Sequence, residues 1–124
     1  MDADSYVVAG LTDHLCPWQS CYRSTQLLGG DATFVLSTSG HIASMVNPPT
    51  NPKSSFQTAP DEAGNPADPR AWLAAANTNS GSWWPHYSSW LAARSGPERT
   101  AHAKPGRKGF PVLAEAPGTY VHEH

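Results

Sequence analysis

The chain has 124 residues, a formal charge of −2, 39% hydrophobic side chains, 12 prolines and 10 glycines. That is enough for one small domain, with a loop-rich second half, because proline and glycine concentrate after Asn47. Lys and Arg are scattered, which excludes a basic nucleic-acid footprint and a polybasic membrane signal, and no apolar run approaches the roughly 18 residues of a membrane span.

Taken in order, Ser5 to Ala9 reads as a short buried strand, from its length and its β-branched residues. Gly10 breaks it, and Leu11 to Pro17 is a loop. Pro17 suits the first turn of a helix, where a missing N–H is harmless. Trp18, Cys21, Tyr22 and Leu28 then fall near helical spacing, and Gly29-Gly30 ends that helix. Thr33 to Ser37 reads as a second strand, broken by Ser39-Gly40, with His41 following. A strand–helix–strand unit of this kind is parallel and right-handed. Asp13 and His41 each stand just past the carboxyl end of a strand. If the two strands are neighbours, the two residues meet at the sheet edge where α/β proteins carry out their chemistry.

The stretch from Asn47 to Pro69 reads as a long irregular loop. Asp68-Pro69 is a helix start, with an acidic cap and proline in the first turn, so Ala71 to Ala76 is predicted helical. Gly81 and Ser82 interrupt, and Pro85 opens another helix whose stripe is Trp84, Tyr87 and Trp90 or Leu91, stopped by Gly96-Pro97. From Pro97 the chain is polar and basic through Lys108. Phe110 to Val121 is predicted to be extended with apolar anchors. Two strands and three helices would make a poor independent domain, so a larger partner, covalent or not, is expected to complete the core. The sequence reads as entered in mid-domain: its first strand starts almost at Met1, and Met1-Asp2-Ala3-Asp4 lacks the marks of a signal peptide. A cytoplasmic location with reduced thiols is therefore expected.

Asp13 and His41 are the strongest candidate pair. A carboxylate accepting from a histidine N–H fixes the imidazole tautomer and stabilises its cation, which leaves the other nitrogen as general base for a nucleophile. The plainer alternative makes Asp13 a helix cap and His41 a turn residue. His14 is a second candidate, for substrate or for a loop carbonyl. Cys16 and Cys21 lack the strand-to-helix elbow that exposes a nucleophile. Their C-x4-C spacing matches no standard zinc or redox pattern, and a zinc site from His14, Cys16, Cys21 and His41 is disfavoured by that spacing. His122-Glu123-His124 reads as a solvated tail. No metal site and no cofactor are expected. Trp83, Trp84, Tyr87 and Trp90 form an aromatic cluster suited to core packing, or to docking a partner or a hydrophobic polymer.

Several strings, in register from about Ser5 to Val121, resemble the polyhydroxyalkanoate synthases. They are Ala9-Gly10-Leu11-Thr12-Asp13-His14-Leu15 with Pro17-Trp18, then Ser39-Gly40-His41-Ile42 with Asn47-Pro48-Pro49. Ala71-Trp72-Leu73, Gly81-Ser82-Trp83-Trp84-Pro85 with Trp90-Leu91, and Ala116-Pro117-Gly118-Thr119-Tyr120-Val121 complete the series. The resemblance implies an α/β fold, specifically the C-terminal part of an α/β-hydrolase-type catalytic domain over residues 1–96, with 97–124 as its extended tail. It implies polymerisation of (R)-3-hydroxyacyl groups from coenzyme A thioesters by a Cys-His-Asp triad, the growing chain being held as a thioester on the Cys. Asp13 falls on the family's catalytic Asp, His41 on its catalytic His, and His14 on the His beside that Asp, a substrate-binding candidate. The wording Gly10 to Leu15 leans toward medium-chain monomers. The family's G-x-C-x-G nucleophile box is missing, the loop Asp61 to Asp68 looks slightly long, and Tyr87 stands where the family often has Trp.

The implied partners are the 3-hydroxyacyl-CoA substrate (only with the missing N-terminal part), a synthase homodimer or a complementing N-terminal half, and the polyester granule surface. Nucleic acid and a membrane span are not expected. Two rival readings are a non-catalytic module that binds granules or a synthase, and the end of another α/β-hydrolase such as an esterase or depolymerase.

Overall fold

A computed structural model describes residues 2–123 of the chain. Strand β1 (Ser5–Gly10) leads through two short helices, α1 (Trp18–Tyr22) and α2 (Ser24–Leu27), to strand β2 (Ala32–Ser37). Helix α3 (His41–Val46) and strand β3 (Ser55–Thr58) follow, then a single 3-10 turn at Asp61–Ala63. Helix α4 (Pro69–Ala75), strand β4 (Asn77–Ser80) and helix α5 (Trp84–Ala93) complete the body. The four strands form one mixed sheet in the order β1-β2-β3-β4, so the chain is α/β.

The expected parallel unit is present: β1 and β2 pair from Ser5↔Ala32 to Gly10↔Ser37. Alternation along these strands feeds two cores. Ala9, Phe34 and Leu36 pack with Trp18, Tyr22 and Trp72 on one face, and Val7 joins them. Val35, Phe56 and Trp83 pack on the other, with Tyr6, Val8, Trp84 and Tyr87. The aromatic cluster is thus mainly core, with Trp83, just ahead of α5, its most buried member and Leu91 left exposed.

The structure corrects three expectations. The single helix expected from Trp18 to Leu28 is two, because the Thr25 hydroxyl donates to the Tyr22 carbonyl at 2.8 Å while the Gln26 N–H turns to Arg23 O at 3.0 Å. Gly30, at φ +78°, then turns the chain where a Cβ would meet the Ala3 carbonyl oxygen at 2.6 Å. The stretch from Asn47 to Pro69 is not all loop, since β3 lies inside it and pairs antiparallel with both β2 and β4. The sheet therefore has four strands rather than two. The third correction concerns the tail: Phe110, Leu113, Tyr120 and Val121 are exposed and anchor into no core among the described residues.

Helix α3 shows how two separate motifs fit together. Its last carbonyls, of Ser44 and Met45, would normally accept from the residues four further on, but those are Pro48 and Pro49, which have no N–H. The indole N–H groups substitute. Trp83 Nε1 donates to Ser44 O at 2.7 Å and Trp84 Nε1 to Met45 O at 3.0 Å, while Ser82 Oγ donates to Asn47 O at 2.9 Å. The Ser82-Trp83-Trp84 string is therefore the hydrogen-bond complement of Asn47-Pro48-Pro49.

On the same face, the Tyr6 hydroxyl and His86 Nδ1 are 2.7 Å apart. Burial pushes the Tyr6 phenol up, so it keeps its proton and donates; burial also holds the His86 imidazole below its ordinary value, against a smaller opposing pull from Asp61.

Two outcomes are expected. Trp83→Phe keeps a ring but orphans the buried Ser44 carbonyl, which removes about 1–3 kcal/mol of stability beyond the lost packing. The half-buried counterpart Trp84→Phe loses less. Urea midpoints check this, and a Trp83→Phe chain as stable as the parent would contradict it. For His86, the unfolded chain takes up the proton first as pH falls, so its contribution is complete above about 6.5 and is lost as pH drops through the lower folded value. His86→Gln should flatten the decline in stability between about pH 7.5 and 5.5, and an unchanged slope would refute the assignment.

Candidate active site

The end of β1 and the end of β2 lie level, because Gly10 pairs with Ser37. The ladder runs on past both strands: Leu11 N–H donates to Ser37 O at 2.7 Å and Thr12 N–H to Ser39 O at 3.4 Å. Gly10 permits this approach, since a Cβ there would stand 2.7 Å from the Ser39 carbonyl oxygen and 3.0 Å from Ser44 Oγ. The close crossing delivers Asp13, from the β1 exit loop, and His41, the first residue of α3, to the same place.

Asp13 divides its two oxygens. Oδ1 accepts from the backbone N–H groups of Leu15 and Cys16, both at 2.9 Å, which is an Asx turn that fixes the loop. Oδ2 lies 2.8 Å from His41 Nδ1. The Asp13 side chain is 7% exposed, whereas that of His41 is 44% exposed. The Cys16 N–H, then the His41 and Leu15 bonds, hold the Asp13 carboxyl below the usual carboxylate value, outweighing the opposing effect of burial. An ionised Asp13 can only accept, so Nδ1 carries the proton at this contact, and in the neutral ring the free lone pair is on Nε2. Chemically, such an arrangement can act as an oriented base through the nitrogen that Asp13 does not hold.

The other candidates separate. His14 is exposed on the same loop and makes no side-chain hydrogen bond among the described residues. Cys21, in α1, directs its thiol to the Cys16 carbonyl at 3.8 Å, and burial raises its pKa. Cys16 is exposed in the loop before α1, and its sulfur lies within 4.8 Å of donor atoms of both Asp13 and His41. Sequence reasoning missed that proximity; its signal was the three-residue interval of an Asx turn beginning at Asp13. His124 lies outside the described residues, while His122 is exposed. A cavity of about 350 Å³ lined by Asp31, Thr33, Trp72, His86 and Arg94 lies at the opposite end of the strands, away from the pair. No helix among the described residues is long and apolar enough to cross a membrane.

No family model matches the chain. Individual relatives do. Poly(3-hydroxyalkanoate) polymerase 2 of Ectopseudomonas oleovorans is 49% identical over 98% of this chain and 21% of its own length. Poly(3-hydroxyalkanoate) polymerase 1 of the same organism is 49% identical over 97% of the chain and 21% of its length. The poly(3-hydroxyalkanoate) polymerase subunit PhaC of Cupriavidus necator is 40% identical over 98% of the chain and 20% of its length. The chain spans about one fifth of the length of these relatives. With 40–49% identity over 97–98% of its residues, the chain belongs to the poly(3-hydroxyalkanoate) polymerase family.

Proposed function

We propose that the chain is the C-terminal part of the catalytic domain of a poly(3-hydroxyalkanoate) synthase, with residues 1–96 in an α/β-hydrolase core and 97–124 as its tail. Joined to the remainder of the enzyme, it supplies the Asp and His of a Cys-His-Asp triad. The observation that carries this reading is the 2.8 Å contact between Asp13 Oδ2 and His41 Nδ1 at the carboxyl end of two parallel strands. Two further features support it. Acid and base come along the chain in the order of hydrolase-type triads, after the place of a nucleophile. The outer edge of β1, an apolar six-residue strand, pairs with no strand among the described residues, as expected where a sheet continues into more protein.

In the assembled enzyme, Nε2 of His41 takes the proton of the Cys thiol supplied by the remainder. The thiolate attacks the thioester carbonyl of an (R)-3-hydroxyacyl-CoA, coenzyme A leaves with the proton from His41, and the acyl group stays on sulfur. Nε2 then removes the proton of a 3-hydroxyl group, whose oxygen attacks an acyl thioester; an ester bond forms and the freed Cys sulfur is reprotonated. Asp13 stabilises the imidazolium in both half-steps. His14, exposed beside the pair, contacts the substrate. Neither Cys16 nor Cys21 replaces the missing nucleophile, because one lies in a loop and the other within α1 rather than on a strand-to-helix elbow. The exposed apolar residues Phe110, Leu113 and Tyr120 support docking of the tail on the rest of the synthase or on the polyester surface, and a granule-surface location in the cytoplasm goes with that reading.

The test is made in the assembled synthase by following coenzyme A release. His41→Ala and Asp13→Asn each lower kcat by about three to four orders of magnitude, the scale on which a triad responds to loss of its base or its tautomer control. His14→Ala raises KM with a smaller effect on kcat. Near-parental turnover in either of the first two variants would remove both residues from the mechanism.

A further inference from the structure

One cluster is not used up by the triad reading. Asp13, Cys16 and His41 each present a metal-ligating atom, and the three atoms lie within 4.8 Å of one another. They are a carboxylate oxygen, a thiol sulfur and an imidazole nitrogen, the three donor types that zinc takes at about 2.0–2.3 Å. In a tetrahedral site with such bonds, neighbouring donors stand about 3.5 Å apart, so the cluster needs a contraction of about 1 Å. The contact between Asp13 and His41 is already closer than that, at 2.8 Å, and opens slightly to admit an ion.

The loop that brings the third donor is ordered in advance. The Cys16 N–H is held by Asp13 Oδ1 at 2.9 Å, which ties the cysteine backbone to the carboxylate while Oδ2 stays on the His41 side. The Cys16 side chain is exposed and its thiol has no hydrogen-bond partner among the described residues, so it is free to turn inward and can be reached by an ion from solvent. This donor set differs from the one disfavoured by sequence spacing. Asp13 enters, Cys21 is directed at a backbone carbonyl instead, and His14 is not among the gathered donors.

We propose that Asp13, Cys16 and His41 form a site for one soft divalent cation, zinc by its donor set, with the fourth position open to solvent. The thiol releases its proton to solvent on binding, the His41 ring proton moves from Nδ1 to Nε2 by exchange with solvent, and the cation takes the lone pairs of sulfur, Nδ1 and carboxylate. No electron transfer is involved. Occupied, the site withdraws His41 from the geometry of a general base, so the bound ion inhibits any reaction that depends on the pair. That consequence rests on the triad reading, whereas the binding itself does not.

The test uses the full 124-residue chain, reduced, titrated with Co²⁺ alone and then with Zn²⁺. One equivalent of Co²⁺ should produce a thiolate-to-metal charge-transfer band in the near ultraviolet, and Zn²⁺ should abolish it by displacement. Cys16→Ser should remove the band and weaken Zn²⁺ binding by more than the about 10–100-fold that loss of an outer-sphere partner causes, while Cys21→Ser should keep the band. In the parent chain, NMR should show the His41 ring resonances moving with Zn²⁺ while those of His86 stay in place. Absence of the band, its persistence in Cys16→Ser, its loss in Cys21→Ser, or ring shifts confined to His14, His102 or His122 would each overturn the site. Because the readout is metal binding, failure here leaves the triad reading standing, and loss of the triad reading leaves this result intact.

Discussion

Parallel pairing of Ser5–Gly10 with Ala32–Ser37, in a register that sets Gly10 beside Ser37, is the constraint from which the site follows. Parallel strands bring both chain exits to one sheet edge, and a shift by one residue would also turn Val7 and Ala9 away from Phe34 and Leu36. Hydrophobic alternation on two covered faces therefore locks the register, and the register locks the exits. Gly10 lets the two exit segments cross in contact, so that Asp13 and His41 meet within hydrogen-bond distance although they arrive from different elements.

Each member of the pair is held from behind by a different device. Asp13 is anchored by its own loop, which donates two backbone N–H groups to the oxygen that His41 does not use. Those donors favour the ionised carboxylate, and so does the imidazole. His41 is anchored through α3, whose far end is finished by indoles rather than by backbone. The Asn47-Pro48-Pro49 turn leaves carbonyls without partners, and Trp83 and Trp84 fill the vacancy from the start of α5. The aromatic cluster thus has two jobs: it covers one face of the sheet and it fixes the helix that carries the histidine. Tyr6, on β1, packs against Tyr87 and Trp90 with ring centroids 5.1 and 5.4 Å away, which ties the same cluster to the strand leading to Asp13.

Much of this was legible in the sequence, and the rest was hidden for identifiable reasons. Tyr6-Val7-Val8 and Thr33-Phe34-Val35-Leu36 announce buried strands because β-branched and aromatic residues run uninterrupted there. From those two strands alone, Asp13 and His41 could be placed at one edge. Strand β4 reads Asn-Thr-Asn-Ser and β3 reads Ser-Phe-Gln-Thr, and nothing in such short polar strings favours a strand. The structure of β3 comes from the hydrogen-bonding edge that β2 offers, and that of β4 from the edge that β3 offers in turn. The polar, mostly exposed β4 leaves that side of the sheet with little apolar surface. The break between α1 and α2 depends on a single hydroxyl choosing a carbonyl, which periodicity cannot see. Helix α3 has only six residues between Gly40 and Asn47, too short for a periodic signal. The tail failed differently: its apolar residues predicted anchoring, yet they are exposed and pack into no core among the described residues.

The account turns on a single proton, the one between Asp13 and His41. Long-range ¹⁵N–¹H NMR of the imidazole in the 124-residue chain reads its position directly. In the neutral ring the account predicts the Nδ1–H tautomer, with Nε2 unprotonated, and a shift toward the Nε2–H tautomer when Asp13 is replaced by Asn. A neutral His41 carrying its proton on Nε2 in the parent chain, or a tautomer balance indifferent to Asp13→Asn, would mean that the carboxylate does not orient the imidazole, and the pair could not work as the acid and base of a triad.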